Sequence, residues 1–300
     1  MANAPATLAM QSSTSSAERG VRIVPRLPDF RFSEEEEIAR RWHSGSAGIT
    51  SFWNAITTVG PVAEAFFLRD VHALVPRVKQ SCLQSEMRNF AQQEAFHATV
   101  HRRFNQLLQN WGHPVGEMDR FARGVFAVVD RISSSKLRSA IAVAGEHFIG
   151  ELGNVMITEP HVFADADPRV ARLFLWHGYE ELEHKAILFD AFADVHGTGF
   201  SSYVHRQIGL LVAIVVLLIV LPVFTFRFMR SEGAARDWHE WRRVLGHVFG
   251  RHGVLRGRVR AVAAFMNPSF HPWRYRDDTI YLSLRRDIVD EAWERAAHAV

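Results

Sequence analysis

The chain has 300 residues, of which 48% are hydrophobic and 22% charged, with a formal net charge of +3. That balance excludes a fully disordered chain, a collagen and a polytopic transporter, and the length suits one large domain or two ordinary ones. A single cysteine, Cys82, excludes a disulfide framework and a cysteine-based zinc site, and it fits a reducing compartment.

Residues 1–30 read as a disordered tail. The first twenty are rich in Ala, Ser and Thr and lack both the basic start and the apolar run of a signal peptide. The acidic run Glu34–Glu37 predicts the solvated first turn of a helix beginning after Ser33. From Thr50 to Gly197 there is no sustained period-2 alternation and no Asn-Gly or Asp-Gly hairpin signal. Helices are predicted over about 50–72, from Pro76 to Gly112, over 134–158, and from the cap Asp167 with Pro168 at the first position to Gly197. Four long helices with short links make residues 31–206 an all-α bundle.

Residues 207–227 form an apolar helix, whose 19-residue stretch 208–226 contains no charge. At about 1.5 Å per residue it is long enough to cross a bilayer core, with Pro222 as a kink. Residues 228–300 read as a basic helical extension. Within 227–300 there are fourteen Arg against nine Asp and Glu.

Two segments carry Glu-x-x-His, Glu94–His97 and Glu181–His184. Positions i and i+3 share one helical face, so each pair can grip one ion. Each motif is preceded, at 30 and 35 residues, by a carboxylate in an apolar stretch, Glu64 in PVAEAFFL and Glu146 in IAVAGEHFIG. A lone carboxylate on an apolar face is costly to bury unless paired or metal-bound. Glu, Glu-x-x-His, Glu, Glu-x-x-His is the ligand order of ferritin-like di-iron or di-manganese bundles. The metal set is therefore Glu64, Glu94, His97, Glu146, Glu181 and His184. The competing reading is a bundle with buried polar pairs and no ion. His101 and His177 lie on the same faces, as extra ligands or as groups that orient a ligand. Glu180 and His147, about 100° round the helix, are rival register choices. Asp70, Arg69 and Asp190 read as bundle-end salt bridges.

The segments RWHSGSAGITSFWNAI, GPVAEAFFLRDV, NFAQQEAFHATVHRRFN, AGEHFIGEL, WHGYEELEHKAILFD and SFHPWRYRDD resemble the bacterial family of predicted metal-dependent hydrolases, from about residue 40 to 280. The resemblance implies metal binding by Glu94, His97, Glu181 and His184, with Glu64 and Glu146. The family pattern has Gly-Glu-Arg-Phe-Phe at the first carboxylate, where this chain has Ala63 to Phe67 and no arginine.

Four carboxylates and two histidines neutralise two divalent ions, which favours iron, with manganese or zinc as alternatives. The favoured chemistry is dioxygen-dependent oxidation of an apolar or lipid-like substrate, which calls for an electron donor. Hydrolysis, as the family's description has it, is the alternative, and metal storage or redox protection the third. The apolar helix and the Arg-rich flank point to membrane lipid as a partner, at the cytoplasmic face of the inner membrane. Three arrangements compete: monotopic or re-entrant association, a single span, and a buried core helix. The Arg segment carries no nucleic-acid recognition motif.

Overall fold

The computed structural model describes residue 16 and residues 21–32, 37–256 and 258–274. Among these residues the architecture is all-helical, with no strand beyond one isolated bridge between His43 and Ala166. Helix α1 spans Ala47–Leu74, started by Ser46, whose hydroxyl accepts from the amide of Ile49, and it runs through Pro61. Helix α2 (Ser81–Asn110) ends before Gly112, which holds a positive φ of 86° that a glycine adopts without strain. Helix α3 (Val115–Ile132) follows, then α4 (Ser135–Thr158), capped by Ser134. Helix α5 (Pro168–His184) is capped by Asp167, and α6 (Ile187–His196) ends at Gly197. Helices α7 (Phe200–Ser231), α8 (Trp238–Phe249) and α9 (Arg258–Phe265) complete the order.

The helix start expected after Ser33 falls on residues 33–36, outside the described residues; residues 37–46 run as coil and turns, and Glu37 has a φ of 50°. Residues 33–36 and 275–300 lie outside the described residues, as does the tail up to residue 20 except Ser16. Helix α3, to which the sequence reading gave no element, is amphipathic, with Val115, Met118, Ala122 and Val129 buried. The long fourth helix is broken at Lys185–Ala186, which no glycine or proline marks. Lys185 lies over the Trp273 ring at 4.5 Å and Ala186 is fully buried, so the break is a tertiary feature. Residues 21–30, expected within the tail, instead run along the bundle with Val21 and Ile23 buried.

Two large apolar clusters fill the bundle, beside a smaller one of Val21, Ile157, Tyr179, Leu182, Ala186 and Trp273. One contains Trp42, Trp53, Val62, Val100, Phe104, Met156, Phe174 and Phe228. The other contains Phe66, Phe67, Phe90, Ala144, Ile187, Phe192 and Leu210. On α1, α2 and α5–α6 the crossover from one cluster to the other falls at Glu64, at Glu94–His97 and at Glu181–His184 respectively, and on α4 it falls just beyond Glu146, between Ile149 and Leu152. A polar layer therefore sits between two apolar ones. Helices α4 and α5 approach closely there, because Gly153 and Gly178 face each other; a Cβ on Gly153 would lie 2.8 Å from the Gly178 carbonyl oxygen.

Helix α7 is the one helix among the described residues that is long and apolar enough to cross a membrane. It lies along α4 and α1. Gly209 lets it meet α4 closely, since a Cβ there would lie 2.5 Å from the Ala140 carbonyl oxygen. Arg206 donates to the carbonyls of Phe265 and Asn267, and Leu210, Ala213, Val220, Phe224 and Phe228 are buried. The opposite face exposes Ile208, Leu211, Val215, Leu218, Ile219 and Phe226.

Candidate metal centre

The polar layer contains two groups of side chains. One ligand atom each from Glu94, His97, Glu181 and His184 falls within 4.8 Å of the others. The same holds for Glu64, His101 and His177. Ligands on opposite sides of an ion with bonds of about 2.1 Å stand about 4.2 Å apart, so both spans suit one ion each. Glu181 links the groups: its Oε1 is 3.5 Å from His97 Nδ1 and 2.8 Å from His177 Nε2. His101 Nε2 and His177 Nδ1 are 2.5 Å apart, and Thr57 Oγ1 holds His101 Nδ1 at 2.6 Å. Glu146 belongs to neither group; its Oε1 meets His184 Nδ1 at 2.6 Å. All eight side chains are buried, His177 least so at 8% exposure.

The six predicted ligands thus share one layer, with Glu146 set beside His184. His101 and His177 stand with Glu64, in a position to ligate. Of the rival choices, Glu180 lies just outside, its Oε2 2.9 Å from His97 Nε2. His147 is remote, stacked on Phe265 and 3.3 Å from the Ala261 carbonyl. Arg69 pairs with Asp130 and Asp190 meets His271. Asp70 differs from the expected salt bridge: it takes a hydrogen bond from Ser139. Burial pushes its pKa up to about 6.

Seven buried polar atoms in the layer lack a hydrogen-bond partner: both oxygens of Glu64, Glu94 Oε1, His97 Nδ1, Glu146 Oε2, Glu181 Oε2 and His184 Nε2. Buried polar groups are ordinarily paired, so so many orphans in one place call for a missing cation. Carboxylate oxygens and imidazole nitrogens form a donor set for iron, manganese or zinc. The residues present fit two divalent ions.

The electrostatics agree. Burial, reinforced by neighbouring carboxylates, pushes Glu64 and Glu181 well above the usual carboxylate range, and burial pushes Glu146 up to about 8. Burial pulls His184 down to about 4 and His101 to about 3, and it pulls His177 well below the usual histidine value. Desolvation also opposes charge on His97, but the hydrogen bond to Glu180 and the nearby Glu94 carboxylate outweigh it and hold that pKa well above normal. Without a cation the layer keeps its carboxylates by taking up protons; divalent ions would displace them.

Sequence reasoning missed the shell outside this layer. Arg26 bridges Glu180 and Glu183 at 3.0 and 2.8 Å. Gln93 donates to Glu183 at 2.6 Å. The one signal was Glu180 itself, adjacent to Glu181 yet turned away from its face; Arg26 sits in an extended segment that has no periodicity to read.

The fold and its buried layer define a helical-bundle protein with a candidate site for two metal ions. The family of predicted metal-dependent hydrolases matches residues 24–276, and the chain belongs to that family. Comparison with curated proteins and with solved structures gave no match.

Proposed function

We propose that this chain is a dinuclear metal-dependent enzyme working at a membrane surface, and that its reaction is dioxygen-dependent oxidation of an apolar or lipid-like substrate. The observation that carries the reading is the enclosure of a carboxylate- and histidine-rich layer between two apolar clusters. A hydrolase must admit water and a polar scissile group to an open coordination position. Apolar packing on both sides of the layer along the helices instead favours a small apolar co-substrate. Bound iron would supply the electrons that reduce dioxygen, and an external donor would restore them. The chain's own residues hold the ions, exclude water and orient the ligands: Glu146 fixes His184, Thr57 fixes His101, and Glu180 fixes His97. Hydrolysis is the second reading, favoured by the family's description.

Membrane attachment is read from α7 and α8. The outward stripe of α7 is continuous, and α8 turns Trp238, Leu245 and Phe249 outward at i, i+7 and i+11, on one helical face. Residues 227–260 carry nine Arg against three acidic residues, which suits anionic head groups. Because α7 is pinned to the bundle along both halves, a monotopic seat fits better than a free span.

The test is anaerobic purification, metal analysis and assay of dioxygen uptake with lipid-like substrates, beside ester and amide hydrolysis under argon. Uptake coupled to an oxidised product is expected. Hydrolytic turnover without dioxygen would replace the oxidative reading.

A further inference from the structure

The segment 21–32 crosses the outside of the metal layer as an extended strap. Pro25 and Pro28 disfavour helix there. Helix α2 laces it down with three side-chain donors: Asn89 to the Ile23 carbonyl at 3.2 Å, Gln93 to Val24 at 3.1 Å and Arg103 to Pro28 at 3.2 Å. The Val24 amide donates to Glu183 at 3.3 Å. Val21 and Ile23 are anchored in the core.

The strap inserts one cation, Arg26, whose side chain is 11% exposed. Its Nη1 donates to Glu180 Oε1 and its Nη2 to Glu183 Oε1, both of whose side chains are wholly buried. The second oxygen of Glu180 faces His97 Nε2. His97 Nδ1 is then left without a hydrogen-bond partner, 3.5 Å from both Glu94 Oε1 and Glu181 Oε1. The chain of contacts runs from Arg26 through Glu180 to His97 and ends at the atom that faces the candidate ion. A histidine's free ring nitrogen is set by the bond its other nitrogen makes.

We propose that Arg26 is a positioning residue for the metal centre, holding the Glu180 carboxylate against His97 Nε2 so that Nδ1 is aimed at the ion between Glu94 and Glu181. A bidentate guanidinium suits the task because its planar fork fixes two carboxylates at once, which an ammonium does not. The segment is thereby part of the site although it lies outside the helices that carry the ligands. The metal reading of the layer underlies this proposal.

The test uses the full-length protein, loaded with Co²⁺ and followed by calorimetric titration and by the visible absorption of bound Co²⁺, with far-ultraviolet circular dichroism as the check on folding. Arg26→Ala should fold, bind Co²⁺ about 10- to 100-fold more weakly and shift its absorption. Asn89→Ala loosens the strap elsewhere and should leave affinity and spectrum as in the wild type. If Arg26→Ala does not fold, Glu180→Gln decides, with the same loss expected. Wild-type affinity and spectrum in the folded Arg26 variant, or in Glu180→Gln, overturn the proposal. An equal loss in Asn89→Ala also overturns it, by making the strap mere packing. Failure of the wild-type protein to bind Co²⁺ refutes the metal reading itself.

Discussion

Gly153→Ala tests whether the approach of α4 to α5 is what brings Glu146 beside the Glu181–His184 motif. A methyl at this position would sit 2.8 Å from the Gly178 carbonyl oxygen, 3.0 Å from Glu181 Cβ and 3.1 Å from Gly178 Cα. Two of those atoms are backbone and cannot rotate away, so the helices must separate. Overpacking of this kind costs about 1–3 kcal/mol, and contact with backbone places it near the upper end. Replacing a mid-helix glycine by alanine returns about 1 kcal/mol through helix propensity. The net expectation is a loss of about 2 kcal/mol, or about 4–8 °C in Tm at the roughly 2–4 °C per kcal/mol found for domains of 150–250 residues. Gly124→Ala in α3 isolates the propensity effect, because apart from its own helix backbone and chain neighbours nothing lies within 4 Å of the added methyl. It should melt up to about 2–4 °C higher than the wild type. Thermal unfolding by circular dichroism, with metal content measured on the same samples, separates the two. Gly153→Ala should also hold less metal, since Glu181 and its neighbours on α5 move away from α4. A Gly153→Ala protein that melts at or above the wild-type temperature with full metal content would refute the reasoning.

Glu94→Ala and His184→Ala should each lower metal content, read by elemental analysis, whereas His147→Ala should not. In the metal-free protein Glu146 is raised from the usual 4.5 to about 8, so the folded state holds a proton that the unfolded state has lost. Its contribution to stability therefore falls as pH rises from about 4.5 to about 8, and denaturant titrations should show the gap between metal-loaded and metal-free protein widening over that range. His184, lowered to about 4, works the other way below about 6.5, and its contribution is lost as pH falls towards 4. Leu211→Asp together with Leu218→Asp should move the protein from membrane pellet to supernatant, while high salt alone should not. Equal pelleting of both proteins would disprove lipid seating of the α7 stripe. Reporter fusions at residue 200 and at the C-terminus should both read cytoplasmic, and an external C-terminus would establish a span instead.

The family, the all-helical architecture and the residue types that face inward were legible in the amino-acid order alone, because helical periodicity is local: Glu94 with His97, and Glu181 with His184, share a face whatever surrounds them. The apolar run of α7 was equally plain in the sequence. Which faces meet was set by the packing of the folded chain. It set His101 and His177 beside Glu64, put Glu146 against a ligand's far nitrogen, and closed α4 on α5 through Gly153 and Gly178. It also turned half of α7 outward and half onto the bundle. Arg26 shows the limit most clearly. An extended segment between prolines has no period to mark its inward side, and its partners Glu180 and Glu183 stand 154 and 157 residues away. Contacts at that separation depend on how whole helices pack, and helix packing is set by the sum of many weak apolar contacts rather than by any local pattern.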